Sequence, residues 1–570
     1  MKIKNNILKL GLLSLTTFTL SGCSDFLELE PLDVIVLEKF WNEEGDVEDI
    51  VKGCYSAMQE QVVIDRMMAW GEFRSDNIAG GTNVDNDINL SNIFKENINA
   101  SNAYTSWGEF YDIINRCNTV LYYAPRVAEK DPYYTESELN ATRAEVTAIR
   151  ELMYFYLIRA FHNVPYTTQP YLDDTQNMDQ PALPFNDVLD SLILNLESVK
   201  DYAVKKYPVT KTYYQRGRIT REAIHAMLSE MYLWKGDYQK AVQYADLVIQ
   251  NKLDEFEERE RERSMSTAKL IDGFPLIDDR PTTGNTYGEA YNAIFGRGNS
   301  TESIFELVYW NSNTALENKG VAIRYGNSKT YPGYVKASDF VGGDVKDATF
   351  EVFRDQYDTR YYENMHASGS SFGINKYATQ TVLVTPASNA VNASYGSLWP
   401  ENYCHANWII YRLSDVMLMK AEALTEMINE SDSTEMGKAY NDTLASQVMT
   451  IVNAVNKRSS CSSSYKEIER PETKRDLQNL VMTERQRELM FEGKRWFDLV
   501  RRSLRENSTS YLTQMASRKA TANTGASSKL SRIDAIFWPY NIDELKVNSS
   551  LVQNPAFGSG ENNSYEHTGK

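Results

Sequence analysis

Residues Glu484–Arg502 read E-R-Q-R-E-L-M-F-E-G-K-R-W-F-D-L-V-R-R. Apolar side chains recur there at helical spacings, with Leu489, Trp496 and Val500 on one face and Gly493 between them. Acidic residues gather toward the start and two arginines close the end, which suits the dipole of a helix. The pattern predicts a helix that packs its apolar face into the core and keeps a charged rim. Direct contact with a ligand is the less favoured interpretation.

Opposite charges in this stretch stand three or four residues apart, as they do on one side of a helix. The pairs are Arg485–Glu488, Glu492–Arg495, Lys494–Asp498 and Asp498–Arg502. Each exposed pair of this kind stabilises a helix by only about 0.2–0.5 kcal/mol. An interior glycine costs about 1 kcal/mol, so Gly493 predicts the close approach of another backbone.

A second helical pattern, Arg218–Ile249, resembles the tetratricopeptide repeat. In that repeat, small residues let two antiparallel helices touch and a glycine-aspartate pair makes the turn. One such unit cannot bury its apolar face alone, so we expect up to four imperfect hairpins. The positions that carry the pattern are Leu228, Tyr232, Gly236, Tyr238, Ala241 and Ala245, and the other candidate helices are Ala141–His162, Leu413–Met427, Tyr440–Lys457 and Asp476–Arg502.

The texture of the chain changes between Lys252 and Ala406. Helical periodicity fades, small polar residues and tyrosine increase, and strand-like runs occur at Ser303–Trp310 and Thr381–Thr385. We therefore predict a mostly α fold, an α-α superhelix of tetratricopeptide-like hairpins with a long irregular insertion containing short strands. The predicted divisions are a signal peptide at 1–22, a tether at 23–40, helical parts at 41–251 and 407–570, and the insertion at 252–406.

The N-terminal segment has the features of an export signal. Three lysines precede an apolar run that is too short to span a bilayer. The run ends in Leu20-Ser21-Gly22-Cys23, which resembles a bacterial lipobox. This predicts cleavage before Cys23 and attachment of lipid to its sulfur, with an ordinary secretory signal as the alternative.

Composition excludes several classes of function. The net charge of −18 argues against a nucleic-acid partner. The five histidines form no spaced ligand set, so we expect neither a zinc enzyme nor any other cofactor. Export permits disulfides, yet the sequence does not distinguish them from buried thiols at Cys54, Cys117, Cys404 and Cys461.

Several stretches, in order along the chain, resemble the SusD/RagB family. They are the lipobox followed by Ser24–Pro31, Tyr411–Leu424, Glu484–Arg502, Trp538-Pro539 and Asn548–Phe557. The resemblance implies a lipid-anchored protein exposed on the outer membrane, with lipid on Cys23. It also implies a SusC-like TonB-dependent transporter as partner and an oligosaccharide ligand bound by the irregular insertion.

Sugars are bound by aromatic faces that stack on the rings, with amides and carboxylates nearby to bond the hydroxyls. Two regions supply such residues, the Asn- and Asp-rich range Asp76–Asn102 and the insertion. Trp310 is the preferred aromatic and Trp399 the next, with packing against the helices as the alternative for each. The full set of candidates is Asp76, Asn77, Trp310, Asn311, Asn313, Tyr331, Tyr334, Tyr395 and Trp399.

Two motifs suggest other chemistry but lack its context. Gly369–Gly373 fits G-x-S-x-G, yet no buried strand precedes it and no helix follows. Asp85, Asp87, Asn89 and Glu96 have calcium-loop spacing, but leucine occupies the position that needs glycine. We expect neither catalysis nor a metal site there.

Four functions are compatible with these features. The favoured one is non-catalytic binding of an oligosaccharide at the cell surface. Peptide binding for the same kind of transporter is the second. A glycan-cleaving enzyme, which would need two carboxylates about 5–10 Å apart across a cleft, is the third. A helical-repeat adaptor without any ligand is the fourth.

Overall fold

The computed structural model describes residues 40–173, 175–211, 213–262, 268–280, 284–309, 317–326, 333–345, 352–368, 371–400, 403–519 and 525–558. The predicted signal peptide, the lipid site and all but the last residue of the predicted tether lie outside these ranges. Among the described residues, no helix combines the length and apolar character needed to cross a bilayer.

Helices dominate the described chain. They are α1 Glu44–Met58, α2 Gln61–Met68, α3 Ile88–Phe94, α4 Gly108–Lys130, α5 Glu136–Phe161, α6 Phe185–Val199, α7 Tyr214–Gly217, α8 Arg221–Lys235, α9 Tyr238–Arg261, α10 Glu289–Tyr291, α11 Lys319–Tyr325, α12 Thr359–Asn364, α13 Leu413–Met427, α14 Glu435–Arg458, α15 Lys474–Leu489, α16 Arg495–Glu506, α17 Ser510–Ser517, α18 Ala526–Lys529 and α19 Ile542–Val547. Short π-helical turns cover Ala69–Phe73 and Asn292–Arg297, and 3-10 turns cover Val84–Asn86, Ala103–Thr105, Lys200–Tyr202, Val209–Lys211 and Asp534–Ile536.

The strands are short and form small sheets. They are β1 Ile78–Gly80, β2 Val164–Pro165, β3 Ala182–Leu183, β4 Ala268–Ile271, β5 Phe274–Ile277, β6 Ser303–Leu307, β7 Val335–Ala337, β8 Met365–Ser368, β9 Ser371–Ile374, β10 Val382–Pro386, β11 Val391–Tyr395 and β12 Trp408–Arg412. One sheet has four strands in the order β1-β7-β9-β8, and every pairing in it is antiparallel. The others are the pairs β10-β11, β12-β6, β2-β3 and β4-β5.

The predicted stack of helical hairpins is confirmed. Helix α4 packs against α5, α8 against α9 and α13 against α14, and α9 also packs on α13 to join the two halves. At the α8–α9 turn, Gly236 adopts a left-handed conformation with φ of 82°. The Asp237 side chain then caps α9 by accepting from the Lys240 amide at 3.2 Å.

The opening stretch is two helices and not one. Helix α15 ends at Leu489 and α16 begins at Arg495, so the Gly493 region is a turn. Gly493 has φ of 69°, a conformation that favours glycine. A methyl group built on Gly71 would lie 1.9 Å from the Gly493 carbonyl oxygen, so the predicted close backbone approach is present.

The charges of this stretch are buried, which corrects the prediction of a charged rim. The Glu488 carboxylate bonds Arg412 at 2.6 Å and Arg360 at 3.1 Å, and it also pairs with Arg458. Although burial alone would raise the pKa of Glu488, the guanidinium groups of Arg458, Arg412 and Arg360 hold that pKa well below its usual value. Glu492 bonds Arg412 at 2.7 Å and Lys376 at 2.9 Å.

Long-range contacts replace most of the pairs predicted along the helix. Arg485 bonds Asp498 at 2.9 Å across the turn, and Lys494 bonds Asp415 of α13 at 3.0 Å. Because Arg360 and Lys376 belong to the insertion, the stretch joins the insertion to the helical stack. Removing one partner of such a buried ion pair leaves the other charge uncompensated in the core.

The insertion begins later than the predicted boundary at residue 252, because α9 continues to Arg261. Its two predicted strands are present as β6 and β10, with ends shifted by at most three residues. All four described cysteines are buried free thiols. The sulfur atoms of Cys54 and Cys117 lie 3.9 Å apart, a separation beyond a covalent bond.

Candidate functional site

The two regions that the sequence nominated separately meet in the four-stranded sheet. Strand β1 pairs with β7 in the register Ile78↔Ala337 to Gly80↔Val335. The Gly81 amide then donates to the carbonyl of Tyr334 at 2.8 Å. The half-buried Tyr334 is therefore fixed beside the polar loop that follows β1.

Hydrogen bonds and ion pairs hold the loop after β1 in place, and its exposed side is polar. Asp87 caps α3 by accepting from the amides of Asn89 and Leu90, each at 3.1 Å. Arg324 of α11 bonds Asp65 at 2.6 Å and lies 3.6 Å from Asp87, which ties the loop to the insertion. The exposed polar side chains of this loop are Thr82, Asn83, Asp85 and Asn86. Their amide and carboxylate groups are the type that bonds sugar hydroxyls.

The residues with calcium-loop spacing are engaged in separate contacts. Asp85 bonds Ser91 at 2.7 Å and Lys95 at 2.9 Å. Asp87 is the helix cap, and Glu96 is buried in an ion pair with Arg74 at 3.0 Å. In the described part of the chain, no group of three or more His, Cys, Asp or Glu side chains could hold a metal ion.

The other edge of the same sheet carries a second aromatic group. Tyr395, at the end of β11, is 39% exposed, and its ring centroid lies 5.5 Å from that of His366 on β8. The Nδ1 atom of His366 lies 2.6 Å from Oδ1 of Asn375, which fixes the imidazole ring. Burial raises the pKa of Tyr395 to about 12, so its hydroxyl is neutral and can donate at pH 7.

Trp399 belongs to a third aromatic group close in sequence to Tyr395. Its amide donates to the carbonyl of Ala378 at 3.0 Å, and its ring centroid lies 5.9 Å from that of His405. Tyr403, which is 54% exposed, lies 6.4 Å from the same imidazole. Burial lowers the pKa of His405, so the ring is neutral at pH 7. Within the described ranges, neither Nε1 of Trp399 nor Nδ1 of His405 has a hydrogen-bond partner.

Two of the nominated residues are structural. Asp76 is fully buried and bonds Arg495 at 2.8 Å, while Asn77 is fully buried and donates to Glu72 at 2.7 Å. Gln486 donates to both side chains, at 3.0 Å and 2.8 Å. Neither residue offers surface to a ligand, so Asp76 and Asn77 belong to the core that anchors β1.

The remaining nominated residues divide into two sets. Tyr334, Tyr395 and Trp399 are described and partly exposed. Trp310, Asn311, Asn313 and Tyr331 lie outside the described residues, as do Gly369 and Ser370 of the G-x-S-x-G motif. Sequence reasoning missed His366, Tyr403 and Arg324. His366 and His405 are two of only five histidines in the chain, and their rarity could have drawn attention to the segments around Tyr395 and Trp399.

These features define a class of protein: a stack of helical hairpins with an irregular insertion, whose strand β7 pairs with β1 and so places Tyr334 beside the polar loop after β1. Comparison with known families gives the family. The SusD family model matches residues 263–557, more than half of the chain. A second model, described as starch-binding associating with outer membrane, matches residues 25–233. The chain belongs to the SusD family.

Curated relatives match the chain over most of its length. SusD-like protein P38 of Formosa agariphila is 25% identical, over 97% of this chain and 99% of the relative. SusD-like protein P2 of the same organism is 24% identical, over 85% of this chain and 89% of its own.

Solved structures share the fold. A SusD superfamily protein from Bacteroides vulgatus has a TM-score of 0.64 at 19% identity, covering 91% of this chain and 100% of that one. A laminarin-binding SusD-like protein has a TM-score of 0.58 at 19% identity, with the same coverage of both chains.

Proposed function

We propose that this protein binds an oligosaccharide at the bacterial surface without cleaving it and delivers it to a SusC-like TonB-dependent transporter. The observation that carries the proposal is the pairing of β1 with β7. This pairing places Tyr334 beside an exposed loop of amides and carboxylates, and the opposite edge strand of the same sheet, β8, carries His366, whose ring contacts that of Tyr395. Stacking rings together with amides and carboxylates that bond hydroxyl groups are what a sugar ligand needs.

The ring surfaces set the expected size of the effect. An aromatic face that stacks on a ligand contributes about 0.5–1.5 kcal/mol beyond the area it buries. Loss of one such ring should therefore weaken binding roughly ten-fold, since about 1.4 kcal/mol is a factor of ten. The laminarin-binding relative supports a glucan as the first ligand to try.

The test is calorimetric titration of the purified protein with a panel of oligosaccharides that includes laminarin fragments. We expect Tyr334→Ala, Tyr395→Ala and Trp399→Ala each to weaken binding of the sugar that the parent protein retains. Tyr440→Ala is the matched control, because Tyr440 is 51% exposed on α14, outside this face. Equal affinity in all four variants would place the ligand elsewhere.

The same samples separate the alternative functions. Chromatography of the sugar after incubation should return it uncut, and cleavage products would instead indicate an enzyme. Peptide binding for uptake predicts that a peptide panel is retained in place of sugars. An adaptor without a ligand predicts that neither panel is retained.

The surface location and the transporter partner have their own tests. We propose that lipid on Cys23 anchors the protein to the outer membrane, facing outward. Cys23→Ala should release the protein from the outer-membrane fraction, and retention there would contradict the anchor. Co-purification of a SusC-like protein with the tagged wild-type chain from mild detergent would support the partner.

A further inference from the structure

A cavity of about 350 Å³ lies on a different surface, beside the start of α4. Its walls come from α4, from the segment after β2 and from α19 near the C-terminus. Met178 and Val547, 55% and 77% exposed, stand at its rim. The ring-bearing wall residues are Trp107, Tyr111, Tyr166 and Tyr171.

The amides in this cavity are already used by the protein. Asn115 accepts from the Tyr171 amide at 2.7 Å and donates to the Tyr171 carbonyl at 2.9 Å. Asn118 donates to the carbonyl of Thr167 at 3.3 Å and accepts from Arg150 at 3.0 Å. The amide groups of Asn115 and Asn118 are therefore engaged within the protein, and most of the remaining wall is apolar. The walls therefore suit an apolar side chain.

An acidic cavity adjoins this one at Gly108. A second cavity of about 280 Å³ is lined by Glu60, Glu109 and Asp112, and both cavities share Gly108. A methyl group built on Gly108 would meet nothing within 4 Å, so the floor between the two cavities is open. We call the two cavities together the α4 groove.

The acidic end of the groove has unused hydrogen-bonding capacity. Oε2 of Glu109 is buried and has no partner among the described residues. Arg66 lies near enough to interact with the Glu109 charge, but its Nε donates to the carbonyl of Ser106 at 3.1 Å. Asp112 forms an ion pair with Arg116 at 2.9 Å on the surface of α4. A cation placed over Gly108 would complement this end.

We infer that the α4 groove docks a segment of a partner protein that presents a lysine or arginine beside an aromatic or aliphatic side chain. The two cavities lie on adjoining sides of α4, on the order of 10 Å apart, which is the width of a helix. An extended peptide covers that distance in about three residues. Acidic groups at one end disfavour anionic lipid headgroups, so a basic-apolar polypeptide is the occupant that fits both ends.

The probe is a fluorescein-labelled peptide, Gly-Lys-Gly-Gly-Phe-Gly, titrated with purified protein and followed by anisotropy. One comparison peptide replaces lysine by glutamate, and another replaces phenylalanine by serine. We expect the first peptide to bind with a Kd below about 1 mM, and each comparison peptide to bind at least ten-fold more weakly.

Two variants place the peptide in the groove. Val547→Asp puts a charge at the apolar mouth, and Gly108→Phe fills the open floor, and each should weaken binding at least ten-fold. Met436→Asp is the matched control, because Met436 is 79% exposed on α14 and lies outside the groove. Thermal melting checks that each variant is folded.

Three outcomes would overturn the inference. They are no binding of the basic-apolar peptide at 1 mM protein, equal binding of the glutamate peptide, and full binding by both groove variants. Displacement of the peptide by an oligosaccharide would make the groove a second sugar site and would also contradict it. Failure of sugar binding at the aromatic face leaves the docking inference untouched, because the two surfaces share no residue.

Discussion

Replacement of Gly71 by alanine tests the contact that closes the helical stack. The added methyl group would lie 1.9 Å from the carbonyl oxygen of Gly493 and 2.5 Å from its carbonyl carbon. Ordinary contacts of this kind begin near 3.4 Å, so the two backbones must separate by more than an ångström. Neither can move freely, because Glu72 next to Gly71 accepts from the amides of Phe491 and Lys494, each at 3.2 Å.

Overpacking of a well-packed core costs about 1–3 kcal/mol, and a clash between two backbones belongs at the upper end. We therefore expect Gly71→Ala to lose about 3 kcal/mol of unfolding free energy. Urea denaturation followed by tryptophan fluorescence is a suitable assay, since Trp70 and Trp408 are buried beside this contact.

Gly53→Ala is the matched control. Gly53 lies within α1, and a methyl group there would meet only the Arg116 side chain, at an ordinary 3.8 Å. Alanine in place of glycine in a helix should stabilise the protein by up to about 1 kcal/mol. The two variants should thus change stability in opposite directions. A Gly71→Ala protein as stable as the parent would refute the close-contact reasoning.

Three further predictions concern buried groups. Glu488→Gln leaves Arg412, Arg458 and Arg360 without their shared carboxylate and should lower the free energy of unfolding by about 3–5 kcal/mol. The loss should appear as a lower melting temperature. Glu435→Gln, on the exposed N-terminus of α14, is the control and should not show it. Burial and the neighbouring Asp279 raise the pKa of Glu363 to about 8. The folded state therefore holds a proton that the unfolded state releases, and the free energy of unfolding should fall as pH rises from about 4.5 to 8. Glu363→Gln should flatten that fall in melting temperature, and an unchanged slope would contradict the assignment. The Cys54 and Cys117 thiols, buried and 3.9 Å apart, should resist a thiol reagent until the protein unfolds, and rapid labelling in buffer would show them to be accessible.

Helical periodicity in the sequence was sufficient to predict much of the helical architecture. The α8–α9 hairpin was predictable because small residues and a glycine-aspartate turn stand at fixed spacings within a few dozen residues. Leu413–Met427 was predicted with the bounds that the structure gives. Local interactions decide such elements, and a local pattern in the sequence reports them.

The break at Gly493 was not predictable in this way. Apolar spacing alone is compatible with one helix across Glu484–Arg502, and the turn depends on how Gly71 approaches from the other end of the chain. The charges of that stretch were misread for the same reason. Their partners Arg360, Lys376 and Arg412 lie far away in sequence, and only the folded chain brings them to Glu488 and Glu492.

The candidate site shows the same division. Residue type was sufficient to predict Tyr334, Tyr395 and Trp399 as candidate ligand contacts, because aromatic residues within polar stretches can be recognised in the sequence. It also nominated Asp76 and Asn77, which the β1 anchor buries. Composition cannot distinguish a polar side chain that meets a ligand from one that meets Arg495 or Glu72.

The sequence by itself determined the class of fold and the family, and its export signal stays a prediction. The tertiary structure alone decided which residues share a surface. Pairing of β1 with β7 joins residues more than 250 positions apart, and no periodicity reports a contact of that range. The Glu484–Arg502 stretch contacts the segment before β1 through Asp76, and it contacts the insertion through Arg360 and Lys376.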